Sequence, residues 1–323
     1  MSHFRTGIDG TGAPGACLAL GLCLALAGCG GGGGDDGGTD AGATSAPNVA
    51  NAPPIVREDA PPAFTGPNFT FAIGPSIPPE RFDAGGASSL SAFFEANLAP
   101  LNALTGLLPK TVPVRYEQCG FPNAFYDVLA ETITLCDELG EFVFERLSAP
   151  GAGGTDAALD DDVAATLTAQ TLAFVLYHEI GHALDEQLDL PLVGNVESGA
   201  DGIAAVISVE TGNSLYGVLG AALFEDQPAS FADSHGGGAD RAGDLLCWTL
   251  GGDSRLMFDE AFAGLVAEFA QAGRDCIAEY DAQRRSVLAA LPGLGGLEQG
   301  RANASVPAAA PAALGAFEAA ARR

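Results

Sequence analysis

The sequence holds a single lysine, Lys110, and 14 basic residues in all against 41 aspartates and glutamates, for a net charge of −27. A surface of that sign repels phosphate backbones and anionic lipid headgroups, which argues against nucleic acid as a partner. Beyond the first 28 residues no stretch is apolar for long enough to span a bilayer, so no later transmembrane helix is expected. Neither a CxxC nor a CxxH spacing occurs, which argues against a cysteine-ligated zinc. No internal repeat is visible. Histidine is scarce as well: His3, His178, His182 and His235 make up the full set.

What is present begins with an apolar run, "ACLALGLCLALA" from Ala16 to Ala27, too short for a comfortable membrane span and long enough for a signal-peptide core. It ends in "LAGC", which resembles the lipobox of bacterial lipoproteins. That resemblance implies cleavage before Cys29 and lipidation of its thiol, an ordinary secretory signal being the plainer alternative. Residues 1–28 thus read as a lipoprotein signal peptide. Residues 29–68, rich in Gly, Ala, Asp and Pro, read as a flexible tether that cannot bury enough surface to offset its chain entropy. Residues 69–295 read as one folded domain, and residues 296–323 as a low-complexity Ala-rich tail. The expected location is the cell envelope, facing periplasm or exterior.

Seven cysteines are distributed accordingly. Cys17 and Cys23 leave with the signal and Cys29 carries lipid. Cys119, Cys136, Cys247 and Cys276 remain, an even number that suggests two disulfides in an oxidising compartment. Of the three pairings, Cys119–Cys136 with Cys247–Cys276 is preferred, because each pair brackets one local unit.

Within the domain "FTFAIG" and "TVPVRYEQ" read as strands, with a helical stretch from Ser88 between them. "CGFPNAFYD" supplies turn chemistry, and "ETITLCDEL" starts with a strand that can pair with "TVPVRYEQ" as a hairpin. From Asp162 onward the pattern turns helical. Pro191 and Gly194 break it before "VESGADGIAAVISVE", and further helices follow. A few strands followed by a run of helices is an α+β pattern rather than alternating βαβ.

One helical stretch carries the chemistry. "YHEIGHALDEQ" places His178 and His182 four residues apart, one above the other on a helix face, so that both imidazoles can address one ion. Glu179 projects beside that face, where it can reach a water on the metal. Zinc brings the pKa of such a water towards about 7, and a neighbouring carboxylate can take its proton during attack on a carbonyl. A straight helix cannot supply a third tetrahedral ligand, which argues against Asp185. After the turn at "LPLVG", "ESGAD" presents Glu197 and Asp201, again four apart. Glu197 can complete a His₂Glu set with one position open, and Asp201 can accept the free ring N–H of a liganding histidine.

"HEIGHALDEQLDLPLVGNVESGAD" resembles the active-site region of gluzincins, zinc peptidases with HExxH followed by a glutamate in an ExxxD helix. More narrowly, it is similar to an uncharacterised bacterial family of unknown function described as metallopeptidases. The similarity extends to "CGFPNAFYD", "ITLCDEL" and "DRAGDLLCWTLGGD", and so to most of residues 69 to 285. The resemblance implies a zincin-like fold, with a small N-terminal sheet packed on an active-site helix and a mainly helical C-terminal part. It also implies His178, His182 and Glu197 as zinc ligands, Glu179 as general base and Asp201 as the partner of a ligand. Glu197 follows His182 by fifteen positions, a shorter gap than in thermolysin-like enzymes. A metzincin pattern fails, since Leu188 stands where its third histidine would fall.

His235, in what reads as the glycine-rich loop "DSHGGGADR", is a candidate to stabilise an oxyanion, as is Arg241, a lone exposed loop histidine being the plainer alternative. By analogy with zincins, the strand "ETITL" is a candidate edge for an extended peptide substrate. The expectation is hydrolysis of a peptide or protein by zinc-activated water. Hydrolysis of a non-peptide amide and an inactive zinc-containing binding module are the alternatives.

Overall fold

The computed structural model describes residues 64–75, 87–152, 158–190, 195–236, 238–297 and 315. The stretch read as a signal peptide, Cys29, all but the last residues of the expected tether and nearly all of the stretch read as a tail lie outside them.

The chain opens with strand β1 (Phe69–Ile73), helix α1 (Ala87–Asn102), and strands β2 (Val112–Glu117), β3 (Ala124–Asp127) and β4 (Thr132–Cys136). These form one four-stranded sheet in the order β1-β2-β4-β3. β1 and β2 are parallel, as expected when a helix carries the crossover between them. The hairpin expected of β2 and β4 is corrected here. The two strands are neighbours, but they run parallel, with Val114 opposite Ile133. The antiparallel partner of β4 is β3, with Tyr126 opposite Ile133. β3 falls within the stretch read as a turn: only four residues long, it reverses the chain and leaves β4 to slot between it and β2. Central β4 is buried at all five positions, as a strand with neighbours on both edges and helices on its face should be.

The helices follow: α2 (Asp137–Leu147), α3 (Asp161–Leu188), α4 (Val196–Glu210), α5 (Leu215–Glu225), α6 (Ala229–His235), α7 (Ala239–Gly252), α8 (Ser254–Met257), α9 (Ala263–Gln271) and α10 (Cys276–Ala290). The fold is thus α+β, a small sheet near the N-terminus followed by a mainly helical part. α3 is its axis. Asp160 caps its N-terminus by accepting the Asp162 N–H, and Asp161 and Asp162 set negative charge against the positive end of its dipole. From Leu172 to Ile180 every residue is buried, because α3 packs against α4, α5, α2 and the β3–β4 side of the sheet at once. Among the described residues no helix is long and apolar enough to cross a membrane.

Both expected disulfides are present, Cys119–Cys136 and Cys247–Cys276. The first ties the end of β2 to the start of α2. Glu138 reinforces the same junction by accepting the backbone N–H groups of Cys119 and Gly120 at 3.0 and 2.7 Å.

A candidate metal centre between α3, α4 and α6

Helical spacing puts His178 and His182 on one face of α3, and their Nε2 atoms lie 3.0 Å apart. Glu197 arrives from the first turn of α4, which the Asn195 side chain caps by accepting the Glu197 N–H at 3.0 Å. Its two carboxylate oxygens lie 3.2 Å from His178 Nε2 and 3.5 Å from His182 Nε2. The approach of α4 depends on a glycine. A Cβ on Gly181 would meet the Ala200 Cα at 2.8 Å, so only glycine lets the two backbones come this close.

Asp201, one turn beyond Glu197, lies 2.9 Å from His178 Nδ1, the ring nitrogen turned away from the cluster. Arg241 of α7 grips Asp201 from behind with a two-pronged contact, Nε to Oδ2 at 2.7 Å and a terminal nitrogen to Oδ1 at 2.9 Å. The same guanidinium donates to the carbonyl of His235 and lies over the Phe224 ring at 4.3 Å. It is 3.4 Å from Glu197. Arg241 therefore braces the carboxylates from within the protein and does not face the cleft as an oxyanion donor would.

His235 is not a loop residue. It closes α6, is buried at 4% exposure, and stacks on Phe231 with ring centroids 4.1 Å apart. The Ser234 hydroxyl lies 2.8 Å from its Nδ1. The same nitrogen lies 3.1 Å from the Phe231 carbonyl, and Nε2 lies 3.0 Å from Glu179 Oε1, so a proton on Nε2 is donated to that carboxylate. Ser234 also reaches Asn123, in the turn before β3, which fixes α6 against the sheet.

The nitrogens of His178, His182 and His235 and a Glu197 oxygen lie within 4.8 Å of one another, a group that could hold a metal ion. Two further observations fit a cation here. Glu179 Oε2 is buried without a hydrogen-bond partner. The charge state points the same way. Burial disfavours protonated His178, yet Asp201 and Glu197 outweigh it and push the imidazole up to about 9. Burial likewise opposes ionisation of Glu197, but contacts with His178 and His182 hold its carboxyl far below the usual range. A field that stabilises a proton at this point stabilises any positive charge there. The other convergence of ligand-type groups among the described residues, Cys119 and Cys136 with Glu138, is consumed by the disulfide.

The cluster opens into a cleft of about 660 Å³ lined by α3, α4, α6 and the β3 segment. This corrects the expectation for the substrate edge. β4, which carries "TITL", has neighbours on both sides, so the free edge at the cleft is β3, through Phe125 and Tyr126. Tyr126 donates its hydroxyl to Glu186 at 3.0 Å and accepts from Gln187 at 2.9 Å, anchoring the edge to α3. Asp185 lines the cleft and is not among the clustered ligand atoms. Sequence reasoning missed Phe125, Tyr126 and Ser234; the alternation in "AFYD" was the available signal, masked by the turn residues before it.

The model of a family described as "Putative metallopeptidase" matches residues 87–289, a span that includes every residue of the cluster. No curated protein and no solved structure matches the chain.

Proposed function

The chain belongs to that family, and on that premise we propose that it is a zinc peptidase whose ion is held by His178, His182 and Glu197. The observation that carries the reading is the buried, unpartnered Oε2 of Glu179, a residue that lines the cleft together with His182 and Glu197 of the donor set. Imidazole and carboxylate donors suit zinc, which when bound supplies Lewis-acid polarisation of a carbonyl and acidification of water.

The chain's own residues do the rest. Burial opposes ionisation of Glu179, but the His235 contact and the two other histidines hold its carboxyl below the usual range and so keep it ionised, the form that can take up a proton. Oε1 is held by His235, which leaves Oε2 to take the proton of the attacking water and deliver it to the departing amine. His235 positions Glu179 and, once released from it, can donate Nε2–H to the developing oxyanion. Asp201, braced by Arg241, fixes the ring orientation of His178.

Export with a lipid anchor on Cys29 belongs to the same proposal, supported by the two disulfides, which are at home in an oxidising compartment.

A second reading rests on one observation. His235 falls within the same 4.8 Å group, and as a fourth ligand it would close the site and make it structural. The decisive variant is Glu179→Gln, which keeps the hydrogen bond to His235 and all proposed ligands. It should bind one zinc per chain and lose peptide hydrolysis by about three orders of magnitude or more. Undiminished hydrolysis with zinc bound removes Glu179 from the mechanism. Failure of the unsubstituted protein to bind a hydroxamate, which needs an open metal position, favours the closed site.

A further inference from the structure

Of the stretch "CGFPNAFYD", Phe125 and Tyr126 line the cleft, whereas no residue from Cys119 to Asn123 does. Those five residues form a turn pinned at both ends. At its start the Cys119–Cys136 disulfide holds it, and Glu138 accepts the N–H groups of Cys119 and Gly120. At its end the carbonyl of Asn123, a buried residue, accepts the Cys136 N–H at 3.0 Å. A turn tied in this way is a rigid platform for whatever rests on it.

Helix α6 rests on it at two points. Ser230 and Ser234, four residues apart and so on one face of the helix, reach consecutive residues of the turn. The Ser230 hydroxyl donates to the Pro122 carbonyl at 2.5 Å, and the Ser234 hydroxyl lies 3.2 Å from Asn123 Oδ1. Seven residues long and ended by Gly236 at φ 80°, α6 has little length of its own to resist tilting, so its side-chain contacts set its attitude.

That attitude reaches Glu179. Ser234 Oγ sits between Asn123 Oδ1 at 3.2 Å and His235 Nδ1 at 2.8 Å, and His235 Nε2 lies 3.0 Å from Glu179 Oε1. One hydroxyl and one imidazole thus connect Asn123 to the carboxylate. The Ser234 hydroxyl also has the carbonyls of Ser230 and Phe231 within reach, at 3.2 and 3.1 Å. Removing the Asn123 side chain would therefore strand no hydroxyl on α6. What would be lost is the direction in which Ser234 holds the His235 ring.

We propose that Asn123 is a positioning residue of the reaction. It touches neither the cleft nor the group of metal-ligating atoms, and acts by fixing, through Ser234, the angle at which His235 meets Glu179. The proposal rests on the peptidase reading for what Glu179 does once it is positioned.

The test compares Asn123→Ala, Ser234→Ala and the double variant as zinc-loaded full chains cleaving fluorescein-labelled casein. Asn123→Ala should lower kcat about 10-fold with KM changed by less than about twofold, because the base loses its alignment while the binding surfaces stay. Zinc content should not change. In the Ser234→Ala background the same substitution should cost less than about twofold in kcat, since its route to the site is already cut. Asn123→Asp, which keeps an acceptor oxygen in place, should restore kcat to within about threefold of the unsubstituted chain. A second readout needs no turnover. The chain has four histidines, so ¹⁵N-labelled imidazoles give few signals. Asn123→Ala should shift those of His235 and leave those of His178 and His182 in place. Additive losses in the double variant, a loss carried by KM alone, no recovery in Asn123→Asp, or unmoved His235 signals would each overturn the proposal. If the unsubstituted chain leaves casein intact, the peptidase reading falls, and the imidazole signals alone decide whether Asn123 holds His235.

Discussion

Buried polar groups are handled differently in the sheet and in the helices above it. Around the sheet they are satisfied locally. Asn68 donates to the carbonyls of Leu101 and Leu104, both at 2.7 Å, and accepts the Leu108 N–H at 3.2 Å. Asp137 accepts the Tyr116 hydroxyl at 3.0 Å. Across α3, α4, α6 and α7 the chain buries imidazoles, carboxylates and a guanidinium together, and leaves Glu179 with an oxygen that no protein donor meets. A buried unmet carboxylate oxygen costs stability. Those polar groups of the sheet region find protein partners; the helical layer carries a polar network that a bound cation would complete.

The largest effects expected from that difference concern zinc affinity. Glu197→Ala should lower it by well over 100-fold, Asp201→Asn by roughly 10–100-fold, and Asp185→Ala hardly at all. Asparagine is the better probe at 201. Alanine there would strand the buried Arg241, at a cost of about 3–5 kcal/mol, and confuse loss of affinity with loss of fold. Competition against a chromogenic chelator ranks the three. If Asp185→Ala proves the most damaging, the His₂Glu assignment is wrong.

The same division decided what could be read from the sequence. The pairs His178/His182 and Glu197/Asp201 face one way because a helix repeats every 3.6 residues, a local rule that needs no knowledge of the rest of the chain. Their meeting required only a turn and a second helix. Sheet order is a non-local matter. Nothing in "TVPVRYEQ" or "TITLC" says whether they run parallel, because that depends on where the intervening residues go. They go into β3, too short and too close to "CGFPN" to stand out. His235 was misplaced for a related reason. Its glycine neighbours suggested a loop, while its burial depends on Phe231 stacking and on Asn123, 111 positions from Ser234.

An intermediate effect separates the two regions through matched glycines. A Cβ on Gly181 meets the Ala200 backbone at 2.8 Å, whereas one on Gly140 of α2 meets the Tyr116 hydroxyl at 2.7 Å and Leu172 at 3.3 Å. Each alanine substitution should cost about 1–3 kcal/mol by overpacking, eased by alanine's better helix propensity. Only Gly181→Ala should weaken zinc binding, since it alone pushes α4, and Glu197 with it, away from α3. Chemical denaturation paired with zinc titration checks both. Equal loss of zinc affinity in Gly140→Ala would mean that sheet and metal centre are mechanically one unit.

The smallest effect belongs to the turn between β3 and β4, where Glu131 occupies the left-handed region at φ 52° and pairs with Lys110. Glycine would relieve a strain of about 1 kcal/mol. It would also lose an ion pair between two partly exposed side chains, worth about 0–1 kcal/mol, and add unfolded-chain entropy of about 0.5–1 kcal/mol. These terms nearly cancel, so Glu131→Gly should change stability by less than about 1 kcal/mol and shift Tm by no more than about 4 °C. Glu131 does not line the cleft, so zinc affinity and peptide binding should stay as they are. Thermal melts with and without zinc read both quantities. A loss beyond about 2 kcal/mol cannot come from a surface ion pair alone. It would show that the β3–β4 turn helps to hold the β3 edge, and that the sheet contributes more to the cleft than a wall.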